Sequence, residues 1–378
     1  MEAIYSYQLL EELWCDKYWS DIKRLFKDEL FNDDWEPSAD WADLNSTYSS
    51  LSITQLGRNY IYEKLSENPN ISWKIITNNP DIEWNYEGIS RNPNIKLHTI
   101  KTHIHKFNDF GTDLSKNPNI TWKFIQKNTN IEWRYDLLSA NPCIDWNIIK
   151  SNVGKGWSWN WIVRNPSIHH KEIDHNPNKS PYFDFLSKSE LGLQSMNWEE
   201  FHKYLKDLGV LNLNVNNTHF SPASWIWHII SRHKSVTWEI INKYPDYSWN
   251  PRGVSENINI KWNIIINNSS YNWDWNYISI NTNITPDIVI NNPNRPWNWQ
   301  MLSKNKSIDL DLYERYIDNN WNKSYLINNT MTAAKDRWIN TYRLKIIKAF
   351  QIQRNWRYFS SNPIYQLAKR RLEREYYS

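Results

Sequence analysis

Three groups of side chains have types and spacings that could do chemistry. His98, His103 and His105 lie close together, as do His169, His170 and His175, and imidazole is a common zinc ligand. Neither group has thiol or carboxylate partners at zinc spacing, so solvated histidines at loops are expected, with no metal and no cofactor. Paired Trp residues such as Trp273 and Trp275 offer flat rings of the kind that stack on single-stranded nucleic acid or sugars. That use needs exposed rings beside a basic groove. The third group is basic: Arg354, Arg357, Lys369, Arg370, Arg371 and Arg374 form a candidate interaction patch near the C-terminus.

Other catalytic signals are missing. The chain has no nucleophile elbow, P-loop, dinucleotide fingerprint or H-E-x-x-H, and its eight glycines are too few for phosphate-cradling loops. An enzyme is therefore not expected. Cys15 and Cys143 are far apart and form no C-x-x-C, which excludes a disulfide framework and points to a reducing compartment. Ile352-Gln353-Arg354-Asn355-Trp356-Arg357 resembles the first half of a calmodulin-type IQ motif. The downstream Gly and second basic residue are missing, so a calmodulin-like partner is not the expectation.

The elements that carry these residues are set by a repeat. Anchors fall at Asn68, Asn79, Asn92, Asn117, Asn128, Asn141, Asn152, Asn165 and Asn176, in steps of 11 and 13 apart from one 25-residue double step. A second set follows at His233, Tyr244, Asn257, Asn268, Asn281, Asn292, Asn305, Tyr316 and Asn329. A fixed period of 24 signals an array of structural units. Spacings of three to five after each Trp favour helix over strand. Ser72, Thr121, Asp145, Thr237 and Ser248 precede Trp and are preferred N-caps. Pro286 replaces Trp outright, which suits a first helical turn, so each helix is expected to start at the Trp position. The anchor Asn is then expected just past the helix in a left-handed conformation. Helices of about two turns cannot stand alone in water. The Trp anchors, Trp73, Trp84, Trp122, Trp133, Trp146, Trp238, Trp249, Trp262, Trp273 and Trp297, are therefore read as core packing, each ring burying on the order of 150–250 Å².

Charge is +3 overall but uneven: residues 1–45 hold twelve acids and four bases, residues 335–378 eleven bases and three acids. An acidic head and a basic tail flank a nearly neutral body. No signal peptide or membrane span is apparent. The sequons at Asn70, Asn119, Asn216 and Asn283 are read as coincidences of an Asn-rich composition.

The phrases NPNISWKIITNNPDIEW, NPNITWKFIQKN and NPNRPWNWQMLSKNKSI resemble a Trp-rich, Asn-Pro repeat family of nucleocytoplasmic large DNA viruses, over about residues 55–330. The tail IQRNWRYFSSNPIYQLAKRRLEREY is similar to a C-terminal element of such proteins. Departures are the poorly anchored stretch 97–113 and Lys, Tyr or Pro at some Trp positions. The resemblance implies non-enzymatic repeat proteins and supplies no catalytic residues.

The expected fold is all-α: an α-solenoid of short helix pairs with a 24-residue (11+13) repeat and helical caps at both ends. The alternative is a leucine-rich-like or β-solenoid with an asparagine ladder. Expected divisions are an acidic cap at 1–54, a first array at 55–188, a joint at 189–219, a second array at 220–330 and a basic cap at 331–378. The expected function is a scaffold or adaptor binding a viral or host protein in host cytoplasm, virus factory or virion, not secreted and not membrane-bound. The alternative is nucleic-acid binding through the basic C-terminal helices.

Overall fold

The computed structural model describes residues 2–31, 53–162, 165–168, 196–207, 209, 211, 222–361 and 370. Among these the chain is helical with no strand. The N-terminal segment forms α1 (Glu2–Leu25) and α2 (Lys27–Phe31), followed by α3 (Ile53–Glu67). Short helices then alternate: α4 (Trp73–Asn78), α5 (Tyr86–Arg91), α6 (Leu97–Thr102), α7 (Gly111–Leu114), α8 (Trp122–Lys127), α9 (Tyr135–Leu138), α10 (Trp146–Ser151) and α11 (Trp159–Ile162). After α12 (Trp198–Asp207) and α13 (Pro222–Arg232) the alternation resumes. It runs through α14 (Trp238–Lys243), α15 (Pro251–Glu256), α16 (Trp262–Asn267), α17 (Trp275–Ile280), α18 (Pro286–Asn291), α19 (Trp299–Leu302), α20 (Leu310–Arg315) and α21 (Lys323–Asn328). The long α22 (Thr332–Ser361) follows.

In the 11-residue halves the helix starts where the sequence places it. Ser72, Thr121, Asp145 and Thr237 accept the N–H of the residue three positions on, satisfying a donor of the open first turn. Trp73, Trp122, Trp146, Trp238 and Trp262 are first helical residues, and Pro286 takes the same place. The 13-residue halves differ from the expectation. There the Trp lies ahead of the helix, and the cap comes one residue later, at Asn85, Asn250, Asp274, Asn298 and Asn322. Ser248 caps nothing, because Asn250 accepts the N–H groups of Arg252 and Gly253.

The anchor asparagines are not left-handed. Asn79 has φ −130° and Asn92 φ −65°, and Met331 is the only non-glycine at positive φ among the described residues. Their side-chain amides explain them. Asn281 Nδ2 donates to the carbonyls of Ser255 (2.9 Å), Asn257 (3.1 Å) and Ile260 (3.3 Å), while its Oδ1 accepts Asn283 N–H (2.9 Å). Asn92, Asn165, Asn257 and Asn305 repeat that set, and Asn117, Asn141 and Asn329 repeat it with two carbonyls. The other class, Asn79, Asn128, Asn152, Asn268 and Asn292, donates to the carbonyl four residues back. A second buried rung uses serine: the hydroxyls of Ser66, Ser115, Ser139, Ser231, Ser255, Ser279 and Ser303 each accept a backbone N–H 19 residues on. Between the rungs the core is aliphatic, with Ile71, Ile89, Ile95, Ile144, Ile260, Ile278, Ile284 and Ile308 fully buried.

The order of stacking is not the order of the chain. Asn68 Nδ2 donates to the carbonyls of Ile327 (3.0 Å) and Asn329 (3.2 Å), and Asn70 Nδ2 to that of Thr330 (2.9 Å). These are the acceptors an adjoining unit would offer, and α21 packs on α3 accordingly. The ladder thus runs from Asn257 through Asn329 into Asn68 and on to Asn165, joining two arrays that the chain presents in the reverse order. At its start His233 replaces Asn; its Nδ1 accepts Ser235 N–H (3.2 Å) and its ring stacks on Phe201 at 4.0 Å.

The terminal helices do not close opposite ends as expected. Helices α1 and α22 pack on each other across the seam between the arrays, with Trp14 and Trp338 edge to face at 5.8 Å. On the seam side α1 contributes the buried Trp14, Tyr18, Ile22 and Phe26.

Candidate functional site

Each Trp ahead of a 13-residue-half helix turns its indole N–H back on the chain. Trp84, Trp133, Trp157, Trp249, Trp273, Trp297 and Trp321 donate from Nε1 to the carbonyl five residues earlier, at 2.8–2.9 Å. Neighbouring rings touch in succession: Trp238 with Trp273 (5.5 Å), Trp262 with Trp297 (5.7 Å), Trp275 with Trp297 (5.4 Å) and Trp299 with Trp321 (5.0 Å). Of the ten anchors, Trp297 is buried and the other nine are half-buried. The nine half-buried rings pack against the margin of the aliphatic core. In Trp84, Trp133, Trp249, Trp273 and Trp297 the N–H is engaged as well, so these rings are not free stacking platforms.

The histidines scatter. His103 Nδ1 lies 3.0 Å from Thr99 O with its ring on Trp73 at 4.7 Å, and His98 Nε2 lies 3.3 Å from Thr99 Oγ1. Among the described residues no three His, Cys, Asp or Glu come together as a metal site, and His169, His170 and His175 lie outside them. Both thiols are held protonated: burial pushes Cys15 up and Cys143 up to about 12, which removes the thiolate that nucleophilic chemistry needs.

Arg354 and Arg357 fall on α22 and Arg370 is exposed, while Lys369, Arg371 and Arg374 lie outside the described residues. Upstream on α22, Arg343, Lys345 and Lys348 are exposed. Ile352 and Trp356 of the IQ-like segment are exposed as well, at 69% and 68%. Among the described residues no helix is long and apolar enough to cross a membrane.

A groove of about 950 Å³ lies where α1 crosses the Asn-Pro loops of the first array. One wall carries Glu11, Glu12 and Asp16, the other Lys74, Lys96 and His98, with Trp73 between. Charges pair across it, Lys74 with Asp16 at 3.0 Å and Lys335 with Glu11 at 2.8 Å. No signal in the repeat foretold this groove, because α1 and the loops are far apart in sequence and carry no shared motif. Its surface is of mixed charge. No family model, curated protein or solved structure matches the chain.

Proposed function

We propose that the chain is an α-solenoid of 24-residue, 11+13 repeats that acts as a non-enzymatic scaffold or adaptor for protein–protein interaction. In keeping with the resemblance to Asn-Pro repeat proteins of large DNA viruses, its partner is a viral or host protein met in host cytoplasm or virion. The observation behind this reading is the internal engagement of the repeated polar residues. Asn281, Ser279 and Trp297 each hydrogen-bond within the stack, which leaves recognition to the exposed positions that vary from unit to unit. Stacked units with variable outer residues are a common way to build an extended binding face. The groove beneath α1 is the best-formed part of that face. Affinity capture from infected cells with cross-linking should recover a partner attached at the groove, and K74E/K96E should lose it. Recovery of no partner from cell or virion extracts, or equal recovery by the variant, sinks the reading.

A second reading rests on the exposed Arg343, Lys345 and Lys348 of α22: nucleic-acid binding by the basic tail. Removal of residues 341–378 should then abolish salt-sensitive DNA or RNA binding. Absence of such binding by the full chain ends that alternative.

A further inference from the structure

The seam between Asn329 and Asn68 is a non-covalent interface with the chemistry of a covalently joined layer step. Its hydrogen bonds, Asn68 to Ile327 and Asn329 and Asn70 to Thr330, repeat the anchor-amide pattern of the arrays, with Tyr18 Oη as a further acceptor for Asn68 at 3.2 Å and Ile327 in place of the usual serine. What holds it laterally is helix α1 with α2, which belong to the N-terminal half but reach across to the C-terminal half. Tyr18 Oη donates to Ile327 O (3.3 Å), and Phe26 stacks on Tyr313 at 5.5 Å. Four ion pairs cross the seam: Lys17–Asp311 (3.0 Å), Arg24–Glu314, Glu29–Lys323 (2.6 Å) and Glu11–Lys335 (2.8 Å). The Glu29 carboxylate is nearly inaccessible, so its pair with Lys323 resists screening better than the exposed three. Each half thus presents a self-contained mating surface to the other.

The covalent link between the halves runs through residues 169–195, twenty-seven positions, because α12 already packs with the second half through Phe201 and Leu205. A link of that length holds the halves at an effective concentration on the order of a millimolar, so exchange between copies is favoured where protein concentration approaches it or where the seam closed within one copy is penalised. Exchange of identical elements between protomers is a low-cost route to dimers wherever such a link exists.

We propose that the seam is an exchangeable interface and that its second occupant is the opposite half of another copy of this chain. In the reciprocal dimer, residues 2–168 of one copy meet residues 196–207 and 222–361 of the other at two equivalent seams. Every contact of the closed monomer is kept. The proposal stands apart from any scaffold role, since it concerns self-association alone.

Charge reversal on opposite sides of the seam tests it. E29K places two lysines at the Glu29–Lys323 position, and K323E places two carboxylates there. In a reciprocal dimer of the two variants both seams are matched, one as wild type and one reversed. Co-expressed with different tags and purified through both, E29K and K323E should give a one-to-one complex of twice the monomer mass. Its dimer fraction should exceed that of either variant alone by on the order of tenfold, since like charges at a close contact are strongly penalised. If both variants fold by circular dichroism and the co-expressed pair stays monomeric, the proposal is overturned. Equal dimerisation of either variant alone overturns it too, since association would then bypass the seam. Should E29K fail to fold at its buried position, the more exposed pair E11K with K335E follows the same logic and decides.

Discussion

At the scale of single residues, the positions of the anchor asparagines were legible from their spacing, but the reason for them was not. Asn suggested a left-handed helix stop, yet the backbone there is ordinary and the amide is the working part. A buried amide with both ends engaged admits few substitutes. Asn281→Asp removes the donor and sets a carboxylate against three carbonyl oxygens. We expect a loss on the order of 3–5 kcal/mol, the range for an uncompensated buried charge, read as a lower urea midpoint. The same logic accounts for the sequons: Asn70, Asn119 and Asn283 donate their amides to backbone carbonyls of the preceding unit. Asp309 gives a pH test. It caps α20 by accepting Leu312 N–H (3.0 Å), while burial, aided by Asp311, raises its carboxyl above the usual range. A raised carboxyl pKa means the folded state holds the proton more tightly, so ionisation removes stability as pH climbs from about 4, the unfolded value. Asp309→Asn keeps the cap and removes the charge. Its melting temperature should exceed that of the parent chain at pH 7, with the gap closing toward pH 4; a gap that widens on acidification contradicts the assignment.

At the scale of elements, helix was legible because the apolar spacing and the Ser, Thr and Asp caps agreed. The two kinds of half-unit were given the same helix start, at the Trp, whereas only the 11-residue halves begin there. Trp84, Trp249 and Trp273 turned out to precede their helices, where the indole N–H closes the loop onto a carbonyl. The role of Gly88 and Gly253 was also invisible in sequence. Both sit in the first turn of a 13-residue-half helix that presses on the preceding helix of its kind. A Cβ at Gly88 would stand 2.6 Å from Glu63 O, and one at Gly253 would run into His228 O. Neither acceptor can retreat, because each is backbone inside a packed helix. Gly253→Ala should therefore push α15 off α13 and cost about 2–3 kcal/mol, as overpacking at tight contacts does. Equilibrium unfolding measures it, and a neutral or stabilising outcome would show that the layers have slack. The irregular unit 97–114 supports the same view of fit. It has one extra residue in its step, forms 3-10 turns at Ile104–Lys106 and Asn108–Phe110, and leaves the buried Ser90 hydroxyl without a hydrogen bond. Arg91 compensates nearby, binding Glu63, Glu67 and Asp113 at 2.7–3.0 Å and so tying three successive units.

At the scale of the whole molecule, the two arrays were visible in the sequence but their order in space was not. Periodicity fixes what a unit touches one step away; it says nothing about which array comes first, because every unit offers the same rungs. The acidic head and basic tail were likewise seen as opposite caps, whereas Glu11–Lys335 brings them to one seam. The arrangement has a consequence for unfolding. Each unit contacts its neighbours and little else, so stability should be a sum of local terms coupled one step at a time. Ile144 is fully buried one rung before Asn165, the last described rung of the first array, whereas Ile278 lies on the far side of the seam. Truncating Ile144 to Ala should cost about 2–5 kcal/mol locally. Hydrogen exchange should then accelerate for amides of residues 120–162 by about thirtyfold to a few thousandfold, a factor of ten for each 1.4 kcal/mol, while amides of residues 254–302 keep their rates. Asn68→Ala acts at the seam itself and should instead speed exchange in the flanking units 303–329 and 68–95 together. If Ile144→Ala raised exchange at 254–302 to the same degree, the two halves would form one cooperative unit. The seam would then be no weaker than any other step, and halves that open only together with the rest of the stack could not exchange through it.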